Sequence, residues 1–321
     1  MKPLLSVRHL CVDFAGVPAV EAWDLDLHSA DTVALVGESG SGKTLAMMAL
    51  LGLVDAPGRV TAQRMDFDGE DLLTVSPEVR RRRLGRSVGV VFQDPSQSLN
   101  PCYRVGDQLR EVLRVHLRLK GPALEKRVVE LLEAVEIADA KRRMQAYPHE
   151  LSGGLNQRVM VAMALACQPK LLIADEPTTA LDVTTQAQVM NLLARLQRDH
   201  GMAMVLISHD LAVVAQRVRR VCVMYAGQMM EAGSPDELFK APRHPYTWAL
   251  LQALPEHGTE SRRLFALRGR VPGPHDRPDG CLFAPRCDRA QESCGQHRPA
   301  WQNHLRCSFP LDPCVARHAH E

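Results

Sequence analysis

Residues 33–44 read Val33-Ala34-Leu35-Val36-Gly37-Glu38-Ser39-Gly40-Ser41-Gly42-Lys43-Thr44. Four apolar residues form a short buried strand, and the run Thr44–Leu51 behind them has the make-up of a helix. Between the two, Gly37–Thr44 matches GxxxxGK[ST], and a strand before and a helix after is the context that gives this pattern meaning. Gly37, Gly40 and Gly42 let the backbone turn tightly enough for the N–H groups around Glu38, Ser39 and Ser41 to converge on phosphate oxygens. The helix start adds partial positive charge. Lys43 is expected to reach the β- and γ-phosphates, and Thr44 to offer its hydroxyl to Mg²⁺. The loop predicts a nucleoside triphosphate site.

A second apolar strand, Leu171–Ala174, ends in two carboxylates, Asp175 and Glu176. Beside a phosphate-binding loop, Asp175 suits Mg²⁺ and Glu176 suits orienting or deprotonating water. His209 lies beyond the strand Ala203–Ile207, and Gln93 directly follows the strand Val88–Phe92. The carboxyl ends of strands in an α/β sheet face the ligand crevice. That placement points His209 toward a γ-phosphate, although a lone histidine is more often structural, and points Gln93 toward Mg²⁺ or water.

These strands, with Val221–Tyr225, alternate with helical patterns such as Val189, Leu192, Leu193 and Leu196, which predicts an α/β sheet with helical cover. Two amphipathic helices are expected across Gly106–Glu136, on Leu109, Val112, Leu113 and Leu117 and on Val128, Leu131, Leu132 and Val135, with a break near Gly121-Pro122. They read as a helical insert, about residues 100–165, between two halves of a sheet domain of residues 1–240. From 241 to 321 the chain is proline-rich and irregular, and needs something other than a large apolar core to fix it.

With 45% apolar and 24% charged residues, the 321-residue chain has an ordinary globular composition. A net charge of +2 and 4% aromatics do not favour a nucleic-acid surface. The cluster Arg80–Arg83 with Arg86 reads as an exposed charged turn. The longest apolar runs, Leu45–Val54 and Val159–Cys167, fall short of the roughly 18 to 20 residues of a spanning helix. No signal peptide is visible in Met1–Val7, so a cytoplasmic location is expected. Five cysteines crowd the end of the chain, at 281, 287, 294, 307 and 314. Disulfides do not suit such a location.

Leu151-Ser152-Gly153-Gly154-Leu155-Asn156-Gln157 resembles the signature of the ATP-binding cassette (ABC) ATPases, with Leu155 in place of the common glutamine. A hydroxyl, two small residues and a helix start also make an anion-binding corner on physical grounds. In that family the segment binds the γ-phosphate of ATP held by the opposite subunit, so the resemblance implies that Ser152, Gly153 and Gly154 complete a partner's site. It likewise implies that Ala180-Leu181-Asp182 faces across a dimer, that Gln93 and His209 act at the nucleotide, and that Phe14 stacks on adenine, although a strand phenylalanine is usually core.

Val91-Phe92-Gln93-Asp94-Pro95, Ser98-Leu99-Asn100-Pro101, His244-Pro245-Tyr246-Thr247 and Gly280–Cys287 resemble the dipeptide/oligopeptide importer branch. In that branch the C-terminal cysteines carry a [4Fe–4S] cluster. The resemblance therefore implies that Cys281, Cys287, Cys294 and Cys307, spaced C-x5-C-x6-C-x12-C, do the same. Four thiolates also suit zinc, Cys314 competes with Cys307 as fourth ligand, and free thiols are the remaining reading.

The expectation is therefore a P-loop ABC ATPase sheet core with a helical insert and a small cysteine-rich C-terminal extension, using ATP and Mg²⁺. It implies a second, related ATPase subunit (the same or a different chain), two transmembrane permease subunits, an extracytoplasmic peptide-binding protein acting indirectly, and a place on the cytoplasmic face of the cell membrane. Glutathione, metal chelates or antimicrobial peptides are alternative cargo. A non-transport cassette ATPase predicts basic nucleic-acid surface or long coiled coils, and neither pattern is present. A GTPase predicts an Asn-Lys-x-Asp element, which the sequence lacks.

Overall fold

A computed structural model describes residues 2–179, 181–211, 214, 216–254 and 267–312, in two compact units. The first gathers Met1–Leu27, Thr32–Thr74 and Ile207–Glu321; the second gathers His28–Asp31 and Val75–Leu206.

In the first unit, β1 (Leu5–Phe14) and β2 (Val17–Leu27) pair antiparallel. The strand β3 (Thr32–Val36) is buried at every position, as a strand covered on both faces must be, and α1 (Lys43–Leu51) starts one residue earlier than its apolar run suggests. Three short strands follow, β4 (Gly58–Thr61), β5 (Arg64–Phe67) and β6 (Glu70–Asp71); β4 and β5 both pair with β1, and β6 with β5.

The second unit begins with α2 (Pro77–Ser87), where Ser76 caps the helix and Pro77 fills its first turn. The arginine cluster is thus on a helix rather than a turn, with Arg82 paired to Glu78 one turn earlier. After α2 comes β7 (Val88–Val91), then a short α3 (Pro95–Ser98). The insert helices are α4 (Val105–Leu117) and α5 (Gly121–Ala134). The break falls at residues 118–120, and Pro122 lies inside the start of α5, where its missing N–H costs nothing. A short α6 (Ala140–Arg143) and α7 (Gly153–Leu165) lead to β8 (Leu171–Asp175), which runs parallel to β7 with Val91 opposite Ala174. α8 (Val183–His200) carries the expected apolar stripe inward, and β9 (Ala203–Ser208) returns the chain to the first unit.

There β10 (Arg220–Tyr225) runs parallel to β3 and antiparallel to β11 (Gln228–Gly233). Two further helices, α9 (Pro235–Lys240) and α10 (Pro245–Gln252), precede the irregular tail, which contains α11 (Glu292–Gln296). The tail is part of the first unit. Phe283 is fully buried, with ring centroids 5.3 Å from Tyr225 and 5.2 Å from Tyr246. Three tail arginines reach carboxylates at 2.7 Å: Arg277 and Arg298 hold Glu21, and Arg286 holds Glu38. The Arg306 N–H donates to the Met230 carbonyl at 2.8 Å, and the Ala232 N–H donates to the His304 carbonyl at 2.9 Å, so the tail lies along β11. Among the described residues, no helix is long and apolar enough to cross a membrane.

Candidate nucleotide site

The phosphate-binding loop belongs to the first unit. Gly37 has φ +148, and a Cβ there would lie 2.2 Å from the Met224 carbonyl oxygen, so the loop passes against β10 more closely than a side chain permits. Gly42, at φ +94, turns the chain into α1. The Gly227 N–H donates to the Ser41 carbonyl at 2.9 Å, tying the loop to the β10–β11 turn. The buried Lys43 ammonium donates to the Gly37 and Glu38 carbonyls at 2.7 and 2.9 Å and to the Ser41 hydroxyl at 3.2 Å. Ser39, Gly40 and Thr44 are exposed around it. The Glu38 N–H donates to the Tyr246 hydroxyl at 2.9 Å. His209 is exposed just past β9. Phe14 is half-buried at the end of β1, opposite Val17 and Gly58.

In the second unit, Asp175 is the last residue of β8 and is buried. Glu176 follows with φ +45, a conformation uncommon for a non-glycine residue, stored at the end of the strand. Its Oε2 accepts from the Gln93 side-chain amide at 2.9 Å and from the Thr179 hydroxyl at 3.1 Å. The Gln157 side chain holds the Pro177 carbonyl at 2.6 Å and fixes the turn. Neither Thr179 nor Gln157 carries a sequence sign of this role beyond its place, after the Asp-Glu pair and in the signature segment. An open groove of about 970 Å³ is lined by Phe92, Gln93, Gly153, Asp175, Thr179 and Leu181.

Ser152 caps α7, its Oγ accepting the Leu155 N–H at 3.4 Å, while Gly153 has open space at its missing Cβ. An exposed hydroxyl and two glycines therefore sit at the start of a 13-residue helix, where partial positive charge collects. The Asp182 carboxylate caps α8 by accepting from the Thr185 N–H at 3.0 Å and from its hydroxyl at 2.7 Å, and these bonds hold its pKa below the usual carboxylate value. Ala180 lies outside the described residues.

Thr44 in the first unit, and Gln93 and Asp175 in the second, each carry a hard oxygen donor of the kind Mg²⁺ prefers.

The expected metal cluster at the C-terminus is not upheld. Cys281, Cys287, Cys294 and Cys307 are half-buried free thiols, and among the described residues no group of three or more His, Cys, Asp or Glu side chains is arranged to hold a metal ion. Burial pushes the thiols of Cys281 and Cys287 up and that of Cys307 up to about 11. The thiols line a small cavity of about 20 Å³ with Phe283. The tail's order comes instead from that aromatic contact and from the arginine–carboxylate pairs. Cys314 lies outside the described residues.

A strand–glycine loop–helix with a buried lysine, together with a strand ending in an oriented Asp-Glu pair, is the equipment of a P-loop nucleotide-binding protein. A family model described as ABC transporter matches residues 20–179, and one described as oligopeptide/dipeptide transporter, C-terminal region, matches residues 230–294. The chain is 49% identical over 318 residues to the dipeptide transport ATP-binding protein DppD of Escherichia coli K12, covering 96% of this chain and 97% of the relative. DppD of Haemophilus influenzae is 48% identical over 317 residues, covering 96% of each chain. Among solved structures, cbiO1 of Clostridium perfringens, part of the ABC transporter complex cbiONQ, aligns with TM-score 0.65 and 28% identity, covering 74% of this chain and 91% of cbiO1. The ATP-binding cassette MJ0796, dimeric and bound to ADP and Pi, aligns with TM-score 0.63 and 26% identity, covering 72% of this chain and 98% of MJ0796. The chain belongs to the ABC transporter family, as an ATP-binding subunit of its dipeptide/oligopeptide branch. Its fold is the P-loop ABC ATPase fold with a helical subdomain insert.

Proposed function

We propose that this chain is the ATP-binding and ATP-hydrolysing subunit that powers uptake of dipeptides and oligopeptides through a membrane ABC importer. The observation that carries this is the 49% identity to a dipeptide transport ATP-binding protein over 96% of the chain, C-terminal region included. The division proposed is an ATPase domain, residues 1–240, with its helical insert at about 100–165, and a cysteine-rich extension of importer type, residues 241–321.

In this reading Lys43 and the loop Gly37–Thr44, through its N–H groups other than that of Glu38, which Tyr246 takes, hold the phosphates of ATP, and Phe14 stacks on its adenine. Thr44, Gln93 and Asp175 hold Mg²⁺, which supplies charge neutralisation on the phosphates when bound. Glu176 takes the proton of the attacking water, and His209 contacts the γ-phosphate. Ser152, Gly153 and Gly154 close on ATP held by a second, related subunit, with Asp182 at the same interface. Closure is favoured by ATP only to the extent that the closed pair binds it better. The remaining partners are two transmembrane permease subunits and, indirectly, an extracytoplasmic peptide-binding protein, with this chain on the inner face of the cell membrane.

The test is ATP-dependent uptake of labelled dipeptide into vesicles carrying the transporter co-purified with this chain. Uptake that Lys43→Ala abolishes supports the reading. Peptide-independent turnover with uptake of glutathione or a metal chelate instead reassigns the cargo, and co-purification without permease subunits removes the transport role.

A further inference from the structure

Every nucleotide-contacting role above falls on residues 14–209, yet the tail grips the phosphate-binding loop itself. Glu38 is the second residue of that loop. The Arg286 guanidinium meets its carboxylate with both arms, Nη1 to Oε2 at 2.7 Å and Nη2 to Oε1 at 2.9 Å. Such a two-pronged bond fixes direction as well as charge. Arg286 is itself immobilised: its Nε donates to the Arg268 carbonyl at 2.7 Å, its guanidinium carbon lies 5.6 Å from the centre of the Tyr225 ring, and its side chain is 6% exposed. Burial opposes its charge, but the bonds to Glu38 and Tyr225 outweigh that cost and keep it firmly protonated.

The loop is held from a second side by α10. Tyr246 accepts the Glu38 N–H at 2.9 Å, so that backbone donor is turned to protein. α10 is anchored in turn by the buried Glu231 carboxylate, which accepts the N–H groups of Arg243 at 2.8 Å and His244 at 3.0 Å.

We propose that Arg286 is a positioning residue of the nucleotide site, which orients the phosphate-binding loop through Glu38 and cancels a negative charge that would otherwise oppose a polyphosphate. Tyr246 supplies the matching hold on the backbone. The inference rests on the reading of Gly37–Thr44 as the ATP site. A carboxylate left unpaired in that loop repels ATP, so the defect in an Arg286 variant is electrostatic and should respond to salt and to removal of Glu38's charge.

ATP affinity of the full-length chain, measured by titration calorimetry at low and high ionic strength, tests this. Arg286→Ala is expected to raise the Kd for ATP about tenfold, with a smaller rise at high salt. Arg286→Lys, which keeps charge but not the two-pronged geometry, should fall between. Glu38→Gln combined with Arg286→Ala should recover most of the loss. Arg298→Ala, which loosens the tail at Glu21 instead, should bind ATP as the wild type does. An unchanged Kd in Arg286→Ala, a double variant as weak as the single one, or an equal loss in Arg298→Ala each overturns the inference. Wild-type chain that binds no ATP overturns the functional reading, and the inference with it.

Discussion

The Gln93 side-chain amide donates a hydrogen bond to the Glu176 carboxylate at 2.9 Å. The parallel register of β7 and β8, with Val91 opposite Ala174, brings the two strand ends side by side. The residue that opens the path into the insert helices is thereby tied to the residue assigned the proton of the attacking water.

Glu176→Gln keeps the shape of this contact and removes the proposed base. Steady-state ATP hydrolysis by the assembled transporter should fall by roughly 10²- to 10⁴-fold, the usual contribution of such a group, with ATP still bound. Turnover at the wild-type rate would remove Glu176 from the chemistry.

In the proposed reading Gln93 orients the base as well as holding Mg²⁺. Gln93→Ala should lower kcat about tenfold, the pattern of an interaction felt in the transition state, beyond any rise in KM from the lost Mg²⁺ contact. Gln93→Glu should be worse, since it sets a second carboxylate against the first. A rise in KM at constant kcat would instead place Gln93 in ground-state binding.

The close pass of the loop over β10 predicts that Gly37→Ala is not tolerated. Its Cβ would meet the Met224 carbonyl at 2.2 Å, and φ +148 is a conformation an alanine avoids. Differential scanning fluorimetry should show a fall in thermal midpoint, the cost being about 1–3 kcal/mol, and ATP binding should be lost. Wild-type affinity in this variant would mean that the loop has room to shift.

His244 gives the fold an acid-sensitive point. Burial lowers its pKa from 6.5 to about 4, so the unfolded chain binds a proton that the folded chain refuses. Its contribution is intact above about pH 6.5 and is lost as pH falls toward 4, on the order of 3 kcal/mol in all. Glu231, whose pKa burial raises, contributes the opposite slope as pH rises above 4.5. His244→Asn keeps a capping acceptor for the Tyr246 N–H and removes the titration. Chemical denaturation at pH 4.5 and 7 should show a smaller acid loss in the variant, and equal losses would assign the acid sensitivity elsewhere.

What the sequence disclosed was governed by locality. Gly37–Thr44, Leu171–Glu176 and the stripe on α8 each complete their meaning within one strand, loop or helix, and each element forms within a residue or two of its pattern. Arg286 carried no such sign: its partner Glu38 is 248 residues away, and at the second position of the loop pattern any residue would match. Ser76-Pro77 was a legible helix start that the run of arginines obscured. The metal at the cysteines was implied by the resemblance to the importer branch alone, and among the described residues no His, Cys, Asp or Glu group is arranged to hold one. What the tail required was order, and Phe283, Arg277, Arg286 and Arg298 provide it.

The run of residues 304–306 against β11 has one more effect. The side of β11 that β10 does not use is satisfied by the His304 carbonyl and the Arg306 N–H. A chain ending before residue 300 would leave the Met230 carbonyl and the Ala232 N–H without these partners. An open edge of that kind templates pairing with another chain. The tail therefore closes that edge, and the damage expected from its loss is aggregation, strand to strand, during synthesis or storage.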